Sequence, residues 1–224
     1  MHEIAEPAAS GDPAPEPTAA PAADPGIGPT ADPAPGSSTA FGDRSFLFLL
    51  GSSRAGGNTE LLARRAAEQL PQHVTQRWLR LADLTQPVFR DVRHAEGARY
   101  PQPGGHAGEL LAATLSATDL VIASPLYWYS VSSSTKLYLD HWSGWLRVPG
   151  VGFRARMAGR TLWGVTALAG EDPSDADPLA GTLELTARYM RMRFGGVLLG
   201  NGTRPGDVLA DHAALRRAKT FFTP

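Results

Sequence analysis

The 224-residue chain contains no cysteine. That removes disulfides, thiolate nucleophiles and thiolate-held metals or clusters together. No apolar run is long enough to span a bilayer. The basic residues are scattered rather than clustered, so no stripe tracks a nucleic-acid backbone. Neither a membrane nor a nucleic acid is an expected partner. The six histidines, at 2, 73, 94, 106, 141 and 212, form no i, i+4 ligand pair, which argues against zinc. Glu171, Asp172, Asp175 and Asp177 lack the length and glycine position of a calcium loop and read as a solvated loop. Ser133 and Lys136 match S-x-x-K, but S-D-N and K-T-G are missing, so acyl transfer is not expected.

Positive charge is missing from one region. Residues 1–42 hold six acids, no Lys or Arg, and nine of the 19 prolines. Such a stretch cannot build a core and is expected to be a disordered, semi-extended tail. It also lacks the basic start and apolar stretch of a secretion signal. With no cysteine in the chain, a soluble cytoplasmic protein is the expectation. Residues 43–224 then form a single domain, in which 21 basic residues outnumber 16 acids. That mild excess suits an anionic ligand.

What is present is centred on SFLFLLGSSRAGGNTELL, residues 45–62. The apolar run 46–50 reads as a buried strand and Thr59 onward as a helix. Between them Gly51, Gly56 and Gly57 permit tight turns with bare amides. Ser52, Ser53, Asn58 and Thr59 add side-chain donors, and Arg54 adds a fixed positive charge. Unpaired amides and the helix dipole make this unit an anion site, read as a phosphate cradle. Taken alone, the same residues also suit an ordinary strand-to-helix turn. No lysine follows Gly56, which excludes a nucleoside triphosphate P-loop. The dinucleotide fingerprint G-x-G-x-x-G also lacks its second glycine.

Further strands are expected at 74–81, 119–124, 160–167 and 195–199, the one at 74–81 less apolar and nearer an edge. Helices are expected at 60–70, 108–117, 135–146, 179–193 and 206–220, with a long connection over 82–105. Five alternating strands and helices predict an α/β doubly wound parallel sheet with helices on both faces. Ligands of such sheets sit at the carboxyl ends of the strands, near the reversal of strand order. The loops after the first, third and fourth strands open there.

The second informative stretch is PLYWYS, residues 125–130, directly after the third strand. Pro125 and Leu126 followed by Tyr127, Trp128 and Tyr129 would suit a flat ring with polar edges. They equally suit a cap on the sheet or a contact between subunits. Beside a phosphate cradle, the pair describes a phosphorylated flat ring.

GSSRAGGNT (51–59), SPLYWYS (124–130) and KLYLD (136–140) resemble the flavodoxin-like NAD(P)H-dependent FMN reductases and quinone reductases. The likeness extends in element order over roughly residues 45 to 220. It implies a flavodoxin-like fold and an FMN-dependent oxidoreductase using NADPH or NADH. Ser52, Arg54, Asn58, Thr59 and the amides around Gly57 would then hold the FMN phosphate. Pro125, Leu126, Tyr127 and Trp128 would line the isoalloxazine, and the loop with Ala169 and Gly170 would close its edge. Hydride would pass from nicotinamide through FMN to a quinone-like or other small acceptor, with no catalytic side chain. A homodimer or homotetramer is also implied.

Two features depart from that family's pattern. Asp140 is followed by His141 rather than arginine, and the segment 142–160 is longer and more aromatic. Trp142 and Trp145 are either core anchors or contacts with a partner subunit. Two rivals stand beside the reductase. A flavodoxin-type electron carrier would use protein partners, but the basic body argues against an acidic docking surface. A flavodoxin-like domain without a ligand would serve assembly, against which the intact loops argue.

Overall fold

A computed structural model of the chain describes residues 41–95 and 99–223. The expected disordered tail falls almost wholly outside them. Five strands form one parallel sheet: β1 (Ser45–Leu50), β2 (Thr75–Arg80), β3 (Asp119–Ala123), β4 (Thr161–Leu168) and β5 (Arg193–Asn201). Their order is β2-β1-β3-β4-β5, so the strand order reverses between β1 and β3. The helices are α1 (Asn58–Ala67), α2 (Gly105–Ser116), α3 (Ser133–Trp145), α4 (Phe153–Met157), α5 (Asp177–Tyr189) and α6 (His212–Ala218). This is the flavodoxin-like arrangement.

Central strands of a parallel sheet are buried on both faces and must be apolar throughout. Residues 46–50 of β1 and 120–123 of β3 satisfy that requirement and are buried, while Asp119 at the start of β3 is buried as a charge. Alternation then sends side chains to two cores. Leu47, Leu49, Leu120, Ile122 and Leu162 meet residues of α2, α3, α4 and α5. Phe46, Phe48, Val121, Trp163 and Val165 meet α1 and α6. β2 is an edge strand, and its TQRWLR sequence is mostly polar, as an edge requires. Its two apolar residues turn inward on opposite faces: Trp78 stacks on Phe48 with centroids 3.9 Å apart, and Leu79 packs against the other core.

Trp142 and Trp145 are core anchors. Both are buried within the chain, edge-on to Tyr138 and to Phe153 of α4. The reading of these two as subunit contacts is set aside. α4 escaped the sequence reading because five residues give no periodicity to detect. The closing helix expected over 206–220 is shorter: a single tight turn at Asp207–Ala210 precedes α6. Asp211 divides them, its carboxylate accepting the N–H of Ala214 at 2.9 Å as the cap of α6.

The amino edge of the sheet is closed by a buried ion pair. Arg44 places Nε and Nη2 on the two oxygens of Asp119, at 3.0 and 2.5 Å, and Nη1 on the carbonyl of Phe222. Trp163 Nε1 and Thr118 Oγ1 complete the Asp119 shell at 2.9 and 2.7 Å. Arg160 donates to the carbonyls of Thr114, Leu115 and Ala117, the otherwise unpaired end of α2.

Candidate functional site

The carboxyl edge is built differently. Gly51 extends the β1 ladder by one bond, its N–H donating to Ala123 O at 2.8 Å. Its carbonyl accepts Ser134 Oγ at 2.9 Å. A Cβ at Gly51 would lie 2.1 Å from Thr135 Oγ1 and 2.8 Å from Ser132 Oγ, so only glycine fits. The first loop and the start of α3 are thereby locked together.

Past Gly51 the loop exposes its amides. Gly57 precedes α1 in extended conformation, and no side chain caps the helix. Among the described residues, the N–H groups of Ser53, Ala55, Gly57, Asn58 and Thr59 have no hydrogen-bond partner. Ser52 is buried, its hydroxyl accepting the N–H of Arg54 at 3.1 Å, and Arg54 itself is exposed. An uncapped ten-residue helix behind a row of open amides carries the positive end of its dipole toward the loop. That donor set fits a phosphate.

Asn58 differs from expectation. Its side-chain amide donates to the carbonyls of Gly202 and Arg204, both at 2.9 Å, and its Oδ1 accepts the N–H of Gly206 at 2.9 Å. All the strong bonding capacity of that amide is spent on the connection after β5. Asn58 therefore offers an anion its backbone N–H and not its side chain.

Two residues outside the sequence reading shape this loop. Glu60 is buried in the first turn of α1, and Arg80 ends β2 directly opposite Leu50. Arg80 reaches the carbonyls of Ser52 and Arg54 at 3.2 and 3.0 Å, and Glu60 Oε2 at 2.8 Å. The same Oε2 accepts the N–H of Gly56 at 3.0 Å, and Oε1 accepts Arg64 at 2.7 and 3.0 Å. Burial alone would raise the Glu60 carboxyl. The bonds from Arg80, Arg64 and Gly56 outweigh it and hold the group below the usual carboxylate range.

The loop after β3 is a tight reverse turn. Tyr127 and Ser130 exchange both backbone hydrogen bonds, each 3.0 Å. The residues between them, Trp128 and Tyr129, have φ of +50° and +63°. Two left-handed positions in succession normally call for Asn or Gly. Here they carry two large rings. Trp128 is 93% exposed and Tyr127 and Tyr129 54% each. Behind the turn, Ser124 Oγ accepts the N–H of Ser132, and Ser132 caps α3.

A recess of about 220 Å³ separates this turn from the loop after β4, lined by Leu126, Trp128, Tyr129, Leu168, Ala169, Gly170 and Asp175. The structure thus joins the expected Leu126 and Trp128 to the expected Ala169 and Gly170. Pro125 and Tyr127 belong to the same turn but not to the recess wall. An apolar slot beside exposed rings fits the edge of a flat heterocycle. A larger recess of about 520 Å³ lies under the connection 85–107 against Gly144, Trp145 and Val148, and shares no residue with these loops.

Other candidates resolve into structural roles. Lys136 pairs with Asp140 one helical turn on, at 2.6 Å, and His141 Nε2 lies 2.9 Å from the Pro87 carbonyl. Asp172 turns its carboxylate to the N–H of Ser174. Among the described residues no group of three metal-binding side chains converges, and no helix is long and apolar enough to cross a membrane.

Comparison with known proteins gives the family. Residues 45–176 match the family model of NADPH-dependent FMN reductases. YwqN of Bacillus subtilis, which carries the name NAD(P)H-dependent FMN-containing oxidoreductase, is 35% identical over 175 residues, 77% of this chain and 93% of its own. The solved Trp repressor binding protein of Bacillus subtilis is 27% identical with a TM-score of 0.63, over 80% of this chain and 97% of that one. RosB, solved with a formylated riboflavin phosphate intermediate, shares the fold, with a TM-score of 0.60 at 18% identity over 80% of this chain and 75% of its own.

Proposed function

This chain belongs to the NADPH-dependent FMN reductase family, and on that premise we propose that it binds FMN at the carboxyl edge and passes reducing equivalents from NAD(P)H to a quinone-like or other small acceptor. One observation carries the reading: the open amides of α1 and the exposed aromatic turn over its recess lie on the same edge, joined through Gly51 and Ser134. Ser52, Arg54, Gly57 and Thr59, with the backbone N–H of Asn58, would hold the phosphate. Pro125, Leu126, Tyr127 and Trp128 would flank the ring, and Ala169 and Gly170 would close its edge. Bound there, FMN supplies the exchange of a hydride or electrons that no side chain of this chain can perform. The protein's share is to hold the anion with open amides and the exposed Arg54, keep one ring face against aromatic surface and leave the other face open. No side chain is assigned as acid or base.

The reading includes residues 43–224 as the flavin-binding domain, a cytoplasmic location, and assembly as a homodimer or homotetramer. Leu185 and Tyr189 of α5, both more than half exposed, border an apolar groove with Leu139 of α3 and Leu146 just past its end, which supports self-association. Light scattering on the purified chain measures that state. The function itself is tested by the visible spectrum before and after anaerobic NADPH. Flavin bands that bleach with NADPH or NADH are the expected result. Bands that bleach only with dithionite would replace the reductase by an electron carrier, and no bands after FMN addition would remove both.

A further inference from the structure

The Glu60–Arg80 pair, 2.8 Å apart, sits at the loop between β1 and α1. Arg80 is the last residue of an edge strand, and Glu60 lies on the first turn of α1. Their contacts are concentrated on the loop backbone. Arg80 collects the carbonyls of Ser52 and Arg54, and Glu60 collects the N–H of Gly56.

A trans peptide points its C=O and N–H in opposite directions. Turning the Ser52 and Arg54 carbonyls toward Arg80 therefore turns the N–H groups of Ser53 and Ala55 away from it. Those two amides are among the unpartnered donors of the cradle. Electrostatics adds a second requirement. A carboxylate at the start of α1 would compete with an incoming phosphate for the helix dipole. Glu60 is prevented from doing so, because two guanidinium groups and one amide occupy its oxygens and its side chain is only 6% exposed. Arg64 on Glu60, and Asp83 at 3.8 Å from Arg80 Nε, complete the cluster, so two guanidinium groups face two carboxylates beside the loop.

We propose that Arg80, braced by Glu60, is a positioning residue that fixes the loop 52–56 in its anion-binding shape and sets the preference for phosphorylated over unphosphorylated flavin. This rests on the FMN reading above and deepens it. Arg80 does not touch the flavin. It acts through the peptide planes and through the charge it cancels.

The experiment is a pair of titrations, FMN and riboflavin, followed by flavin fluorescence on wild type, Arg80→Met, Arg80→Lys, Glu60→Gln and the Arg80→Met/Glu60→Gln double variant. Wild type is expected to bind FMN more tightly than riboflavin. Arg80→Met is expected to weaken FMN by about tenfold, the scale of charge-assisted hydrogen bonds, and to change riboflavin by less than about twofold. Arg80→Lys keeps the charge but not the fork and is expected to fall between. The double variant is expected to regain part of the FMN affinity, because the uncompensated carboxylate is gone. Unchanged riboflavin affinity shows that the variant domain is intact, and if Arg80→Met does not fold, Arg80→Lys gives the same comparison. Equal losses for both flavins, or no loss for FMN, would overturn the proposal while leaving the reductase reading in place. A wild type that binds neither flavin would overturn that reading and this proposal with it.

Discussion

The two edges of one sheet are finished in opposite ways. At the amino edge Asp119 is 2% exposed, and Arg44, Trp163 and Thr118 all donate to its carboxylate. At the carboxyl edge a row of loop amides lacks partners among the described residues, two rings occupy left-handed backbone positions, and an indole is almost wholly in solvent. Backbone held in sparse conformations costs free energy, and amides turned to solvent are donors held ready; a fold accumulates both where a ligand is to meet them. The difference separates what this chain does to stay folded from what it does to bind.

The largest expected effect breaks the first edge. Asp119→Ala leaves Arg44 and the Trp163 N–H without their acceptor and should cost about 3 kcal/mol. Urea denaturation reads the loss, and flavin affinity of the folded protein should stay as in wild type. A smaller effect comes from Gly51→Val, which sets side-chain carbons on Thr135 and Ser132 and should cost about 2 kcal/mol. Here affinity should fall too, since the same clash parts the loop from α3. Trp128→Gly should reverse the sign: relief of the left-handed position gains about 1 kcal/mol in thermal unfolding, while flavin binding weakens. A Trp128→Gly protein that is less stable would show that the turn carries packing rather than strain.

The smallest effect is a pH dependence. The folded-state pKa of Glu60 lies below its ordinary value, near 4.5, so its contribution is fully present above that pH and is lost as pH falls through and below it. Glu60→Gln should therefore lower stability at neutral pH and flatten the acid limb, so that variant and wild type converge as pH falls. Denaturation midpoints between neutral pH and pH 3 check the slope.

The sheet was legible because burial on both faces forces unbroken apolar runs, as in residues 46–50 and 119–123, and because β2 kept the polar character of an edge. Helix ends were less so. α5 begins at Asp177, two residues ahead of the expected Leu179, because Asp177 and Pro178 are exposed and carry no apolar pattern. The Gly-Ser loop and the aromatic turn announced themselves by composition. Arg80 did not, because its role appears only when the register sets it opposite Leu50. Asn58 was visible as a polar loop residue, but its partners lie 144 to 148 positions downstream and no local pattern names them.

That last distance orders events on the ribosome. A cradle whose first helical residue is fastened to Gly202, Arg204 and Gly206 stays unfastened until those residues have been synthesised and β5 has docked. The loop after β1 is made early in translation and completed almost last. Cofactor capture thus reports that nearly the whole domain has been made and folded, and a chain truncated before residue 202 should emerge with its flavin loop present but unable to close.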